Sequence, residues 1–381
     1  MTRVLHVITR MDVGGSTDDV VLLLTRLPQG ELASGLASGP TTDPPPLLVE
    51  TLRKAAITCT EIRHLRRPVN PLHDWCALDA LTEAMRATRP GIVHTHTSKA
   101  GFLGRLAARR AGVPRILHTP HGHIFHGYYG RATTRLFVAL ERLTARWTER
   151  IVVLTDAEAS QHMVLGIGRP EQFVTIPSGV DLAEARRAAP ARTEIRRSLG
   201  LSARTPLLGI VSRLVPIKGI THLLSAMPDI LRRFPDTHLA VAGEGEERAA
   251  LEQQVRDIGI APHVHFLGFR ADVAAVTAAL DVFVLPSLNE GLGKVLVLAM
   301  ALGVPVVASR VGGVPEVVED GRQGLLVPPA NPTALAGAIT AILGDGERAA
   351  SMGGAGRIRA ERFSAEVMLE RHLQLYRGDA G

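Results

Sequence analysis

The 381-residue chain has little cysteine, little lysine and no long apolar run. Its two cysteines, Cys59 and Cys76, exclude a disulfide framework and a cysteine-rich metal site. Only Lys54, Lys99, Lys218 and Lys294 stand among 43 basic residues, so each lysine invites a specific reason. The longest uncharged apolar stretch, Val295 to Ala308, contains Gly303 and Pro305 and falls short of a membrane span. The opening run Val4–Ile8 is too short for a signal-peptide core and carries His6, which predicts a soluble cytoplasmic protein. A Gly-x-Ser-x-Gly elbow, a His-Glu-x-x-His pair and a Walker loop are all missing. Charge of one sign is scarce as well. Residues 1–187 hold 23 basic against 17 acidic side chains, and residues 188–381 hold 20 against 20, so the whole net charge of +6 lies in the first half. That excess is too thin for a nucleic-acid stripe. It suits an acidic small molecule or an anionic membrane surface.

Length sets a prior of two domains, and 46% hydrophobic residues with 21% charged excludes general disorder. Short β-branched runs alternate with longer helical stretches. The first half offers strands over Val4–Ile8, Gly91–His94, Arg115–His118, Ile151–Leu154 and Phe173–Ile176. The second half offers Leu207–Val211, His238–Ala242, Val264–Leu267, Val282–Leu285, Val304–Ala308 and Gly324–Val327. Near-continuous apolar strands between helices predict two doubly wound α/β domains with parallel sheets. The expected divisions are 1–187, 188–362 and a terminal helical segment 363–381. Gly35–Pro46, ending in three prolines, reads as loop.

Five stretches carry candidate chemistry. Gly14 and Gly15 follow the first strand and precede a helix, where backbone N–H groups can approach an anion. The third glycine of a dinucleotide fingerprint is absent. His94, His96, His118, His121, His123 and His126 form a histidine cluster. No cysteine or carboxylate completes a zinc set of usual spacing, so no metal is expected. The segment 119–123 follows a strand, at the carboxyl edge where open α/β sheets bind ligands, so an imidazole there should face a cleft. Arg213 and Lys218, five apart after the first strand of the second half, suit a diphosphate. Glu290, between Asn289 and Gly291-Leu292-Gly293, opens a helix; its carboxylate can accept from sugar hydroxyls while the glycine amides face phosphate. Gly312-Gly313-Val314-Pro315-Glu316 reads as an ordinary helix start.

The set resembles the retaining glycosyltransferases of family 4, with the GT-B fold of two Rossmann-like domains facing a cleft. The resemblance covers nearly the whole chain. It rests on Gly14-Gly15, Thr119-Pro120-His121-Gly122-His123, Ile176-Pro177-Ser178-Gly179-Val180-Asp181, Ser212-Arg213-Leu214 with Lys218-Gly219, Ala242-Gly243-Glu244-Gly245, and Glu290-Gly291-Leu292-Gly293 before Pro305-Val306-Val307-Ala308. It implies a hexosyltransferase-type enzyme using a nucleotide-diphospho-sugar, a UDP-sugar first, with no cofactor and no bound metal. The acceptor is a glycan, a lipid-linked sugar or a small molecule on the N-terminal side. Arg213 and Lys218 would hold the diphosphate, and Glu290 and His121 the sugar. Gly14 and Gly15 would approach the diphosphate. Gly243, Gly268, Phe269, Arg270, Gly291, Leu292 and Gly293 would complete the donor site. The terminal helix would cross back to the N-terminal domain.

One departure stands out. The family's second Glu, eight positions on and gripping the donor ribose, is Leu298 here. Leu298 leaves open a non-catalytic sugar-nucleotide-binding protein as another reading; a nucleotide-sugar 2-epimerase of similar fold is a further alternative among enzymes. Arg131, Arg135, Arg142, Arg146 and Arg150, with Trp147, suggest peripheral contact with the inner face of a membrane.

Overall fold

The computed structural model describes residues 2–45, 47–122, 130–187 and 191–379. Apolar runs buried on both faces drive two parallel sheets. In the first, β1 (Thr2–Ile8), β2 (Leu32–Ser38), β3 (Thr58–Glu61), β4 (Ile92–His96), β5 (Arg115–Thr119), β6 (Arg150–Val153) and β7 (Phe173–Thr175) run in the order β3-β2-β1-β4-β5-β6-β7. In the second, β8 (Leu207–Val211), β9 (His238–Ala242), β10 (Val264–Gly268), β11 (Val282–Leu285), β12 (Val306–Ser309) and β13 (Gly324–Val327) run in the order β10-β9-β8-β11-β12-β13. All paired strands of both sheets are parallel. Strand order reverses between β1 and β4 and again between β8 and β11. Such switch points open a crevice beyond the carboxyl ends of the strands, where ligands bind in folds of this kind.

The chain divides into two units, residues 2–179 with 366–379, and residues 180–365. The first division falls at 179, not 187. The helix Leu182–Arg187 belongs to the second unit because Leu182 and Ala185 are buried against the helices Val273–Ala278 and Lys294–Ala301. The second falls at 365, not 362. From there the helix Ala365–Arg377 packs Met368, Leu375 and Tyr376 onto Val4, Leu23, Ile92 and Ile176 of the first unit. The second unit is built around Ile210, Leu223, Met227, Val241, Val284 and Ile339.

Two strands escaped the sequence reading. β2 occupies the start of the stretch read as loop, since Leu36 and Ala37 bury fully while Ser34, Gly35 and Ser38 hide its apolar pattern. β3 is an edge strand with mostly exposed side chains, so it carries no apolar signature. Among the described residues no helix is long and apolar enough to cross a membrane.

Candidate functional site

In the second unit, four loops meet at the carboxyl edge around the β8/β11 switch point. The loop after β8 is tied to the loop after β9 by Ser212 N–H donating to Ala242 O at 3.0 Å and Leu214 N–H to Glu244 O at 2.9 Å. Gly243 N–H donates to Gly268 O at 2.8 Å, and Leu288 N–H to Ile217 O at 2.8 Å. The approach demands glycine. A Cβ on Gly243, whose φ is 136°, would lie 1.8 Å from Ser212 O. These contacts place Arg213, Lys218, Gly243, Gly268 and Glu290 on one edge.

Lys218 ends the short 3-10 turn Pro216–Lys218, which Pro216 opens. Its Nζ lies 2.6 Å from Glu290 Oε2, and Ser287 Oγ donates to the same oxygen at 3.1 Å. The Arg213 guanidinium is exposed and has no partner among the described residues. The expected cation pair therefore differs in state: Lys218 is already matched by a carboxylate, and Arg213 is not. Gly293 caps the helix Lys294–Ala301 at φ 79°, with Leu292 buried and Gly291 and Leu298 half-buried. Phe269 is 55% exposed after β10. Arg270 grips Asp272 through both ends of its guanidinium, Nε to Oδ1 at 2.7 Å and Nη2 to Oδ2 at 2.5 Å.

Sequence reasoning undervalued Gly312 and Gly313. Gly313 N–H donates to Glu290 O at 3.2 Å, and a Cβ on Gly312 would fall 1.9 Å from that oxygen. The glycine pair supports the Glu290 loop. Its signal was visible but resembled any helix start.

In the first unit, Gly14 and Gly15 lie after β1 and begin the helix Gly15–Arg26; a Cβ on Gly14 would meet nothing within 4 Å. Asp12 holds this loop, its Oδ1 accepting from Thr42 N–H at 2.9 Å and Asp43 N–H at 3.1 Å. His121 follows β5 in the left-handed region, with φ 58°. Its side chain is 7% exposed. Of the two imidazoles in segment 119–123, His121 packs Nε2 against His96 Nδ1 at 2.9 Å, with Nδ1 3.6 Å from Asp19 Oδ2. His94, His96 and His118 are fully buried, and burial keeps each well below the usual imidazole range. His123 and His126 lie outside the described residues.

Three partners of this cluster were missed. His6 Nδ1 is 3.0 Å from His96 Nε2, and ring nitrogens of His6, His94 and His96 lie within 4.8 Å of one another. Asp19 Oδ2 accepts from Ser178 Oγ at 2.5 Å. Glu158 accepts from Gly122 N–H at 3.1 Å and Leu154 N–H at 2.8 Å, and burial pushes its carboxyl up. Strand alternation could have placed His6 beside His94, since β1 pairs β4 at that register. Nothing in sequence spacing points to Asp19 or Glu158.

Of the arginine stripe, Arg131, Arg135, Arg142 and Arg146 are exposed on or just after the helix Arg131–Ala145, but Arg150 lies in β6. Arg142 Nε donates to Leu165 O at 2.6 Å, and Trp147 lies under Arg109 at 4.8 Å.

Comparison with known proteins matches residues 36–184 to "Glycosyltransferase Family 4" and residues 191–359 to "Glycosyl transferases group 1". The chain is 38% identical to a GDP-mannose-dependent alpha-(1-6)-phosphatidylinositol monomannoside mannosyltransferase of Mycolicibacterium smegmatis, over 67% of this chain and 68% of that one. It is 31% identical to the UDP-Gal:alpha-D-GlcNAc-diphosphoundecaprenol alpha-1,3-galactosyltransferase of Escherichia coli, over 69% of each. The fold matches the crystal structure of Anabaena HepE in complex with UDP-glucose at TM-score 0.83 and 23% identity, covering 99% of this chain and 100% of that one. The two relatives are named as transferases, which does not favour the binding-protein or epimerase readings.

Proposed function

Because the chain belongs to glycosyltransferase family 4, we propose that it transfers one sugar from a nucleoside diphosphate sugar to a lipid-linked acceptor with retention of configuration. The observation that carries the donor assignment is the cation set at the β8/β11 switch point, with Lys218 2.6 Å from Glu290 and Arg213, on the same loop as Lys218, without a partner among the described residues. In this reading Arg213 and Lys218 hold the diphosphate and stabilise its charge as it leaves, the role a metal ion fills elsewhere. Glu290 accepts from donor-sugar hydroxyls. Phe269 meets the base. The His121 turn meets the sugar near its reacting carbon. The acceptor oxygen attacks the anomeric carbon from the face the phosphate leaves. The carbon–oxygen bond to phosphate breaks with its electron pair, and the acceptor proton passes to a departing phosphate oxygen.

GDP-mannose, UDP-galactose and UDP-glucose are the first donors to try, being those printed for similar proteins. The lipid-linked acceptor rests on the two relatives' names, which carry a phosphatidylinositol and a diphosphoundecaprenol acceptor. The exposed arginines of the helix Arg131–Ala145 would bring the enzyme to such an acceptor. A thermal-shift screen of the three donors, followed by mass spectrometry of products, tests the reading. Absence of binding and of hydrolysis for all three would sink it.

A further inference from the structure

We infer that His6 and His96 are positioning residues: a buried relay His6–His96–His121–Asp19 locks His121 in its Nδ1–H tautomer and so fixes the Thr119–Gly122 turn. This inference rests on the assignment of that turn to the donor sugar.

The relay is a linear series of contacts. His6 Nδ1 meets His96 Nε2 at 3.0 Å, and His96 Nδ1 meets His121 Nε2 at 2.9 Å. His121 Nδ1 then faces Asp19 Oδ2 at 3.6 Å, too long for a hydrogen bond but close enough for an electrostatic preference. A neutral imidazole carries one proton, so each ring donates at one nitrogen and accepts at the other. Burial holds His6 at about 3 and His96 well below its usual value, so both are neutral links.

Two directions are open to such a series, and both ends select the same one. At the far end, His6 Nε2 is buried with no hydrogen-bond partner among the described residues. If protons ran from His121 toward His6, that nitrogen would carry an orphaned N–H. In the other direction it carries only a lone pair, and His6 Nδ1–H donates to His96. At the near end, the first direction would aim the lone pair of His121 Nδ1 at a carboxylate. The second aims its N–H there instead. The protons therefore run His6 to His96 to His121 to Asp19. Asp19 is itself fixed by Ser178, whose hydroxyl donates at 2.5 Å.

The neighbouring histidine takes no part. His94 spends one nitrogen on Tyr376 and the other on Thr119, each at 2.7 Å. That second bond fixes the start of the same turn, and Glu158 fixes its end through Gly122 N–H. The ring of His121 is the middle anchor. It holds a non-glycine residue at φ 58°, a conformation that surrounding contacts must impose.

The test uses the full chain with 15N-labelled histidine. The His121 resonance, identified by its loss in His121→Gln, reports the tautomer directly. The Nδ1–H form is expected; an Nε2–H form overturns the relay, and this measurement needs no folded His6 variant. His6→Leu removes the donor, and should leave His121 in mixed tautomers. It should also lower kcat with GDP-mannose or UDP-glucose about tenfold while donor KM stays within threefold, because the contact acts at the reacting centre. His6→Asn, whose amide still donates, should restore kcat to within threefold of wild type. An unchanged tautomer or unchanged kcat in His6→Leu overturns the inference. Tight uptake of one zinc ion, lost in His6→Leu, would also overturn it, since a metal at His6, His94 and His96 needs the His96 lone pair that accepts from His6 in the relay. If the wild-type chain turns over no donor, the functional reading fails, and the tautomer still decides the relay.

Discussion

Lys218 Nζ lies 2.6 Å from Glu290 Oε2, so the carboxylate assigned to the donor sugar neutralises a cation assigned to the diphosphate. Removing either cation should cost transition-state stabilisation. Arg213→Ala and Lys218→Ala should each lower kcat/KM by about 10²–10³-fold, the usual scale for one preorganised charge-stabilising group. Glu290→Gln should separate the roles. Turnover should fall, yet GDP or UDP affinity should hold or rise, because Lys218 loses its competitor. Calorimetry with the nucleoside diphosphate alone checks this. An equal loss of affinity in Glu290→Gln would contradict the division of labour.

Leu298 is half-buried on the helix Lys294–Ala301, at the position where the family's second Glu would hold the donor ribose. A charge-assisted hydrogen bond is worth about 1.5–3 kcal/mol. Leu298→Glu should therefore tighten donor binding roughly 10- to 100-fold, with kcat little changed. Donor titration of both proteins measures it. A Leu298→Glu protein that gains turnover where the wild type has none would instead mark the natural chain as a binder.

Fold was readable where burial on both faces left unbroken apolar runs. β8, β9, β11 and β13 fall where their apolar runs predict. β2 and β3 were not readable, because a strand of small residues and an edge strand bury too little to leave a pattern. The second-unit site was legible for the same reason that it is built: loops at a switch point need glycine, and Gly243 and Gly293 are written in the sequence. The state of that site was not legible. Nothing in the spacing of Lys218 and Glu290, 72 positions apart, says that they pair. Likewise the sequence does not show that His121 contacts Asp19 and His96, because those two come from other elements.

The helix Arg131–Ala145 exposes Leu136 and Leu143, seven apart and on one face, beside Arg135 and Arg142. Its other side is pinned by Glu141, which takes a hydrogen bond at 2.6 Å from the fully buried Arg105. A basic and apolar face held at this angle suits an anionic lipid surface. Each arginine near such a surface contributes about 1 kcal/mol. Replacing Arg131, Arg135 and Arg146 by Gln should thus weaken binding to phosphatidylglycerol vesicles roughly 100-fold at low salt. Cosedimentation measures this. Wild-type protein that ignores such vesicles even at low salt ends the membrane assignment.

The buried histidines set the acid limit of the first unit. His6, His94, His96, His118 and His372 are all held below the usual imidazole value, chiefly by burial, His6 to about 3 and His372 to about 4. Below pH 6.5 the unfolded chain takes up protons that the folded chain refuses. Stability is therefore full above pH 6.5 and is lost as pH falls toward the folded values. Each histidine contributes a slope of about 1.4 kcal/mol per pH unit within that window. Glu158 opposes them: its raised value means the folded form holds a proton more tightly, which offsets part of the histidine effect. Several such histidines acting together give a slope of a few times ~1.4 kcal/mol per unit below pH 6.5, a large share of a domain's whole stability. Both tryptophans, Trp75 and Trp147, lie in the same unit. Urea titrations followed by tryptophan fluorescence should show the midpoint nearly flat from pH 8 to 7 and collapsing between pH 6 and 5. A midpoint that holds down to pH 4.5 would mean these imidazoles are charged or accessible, contrary to their burial.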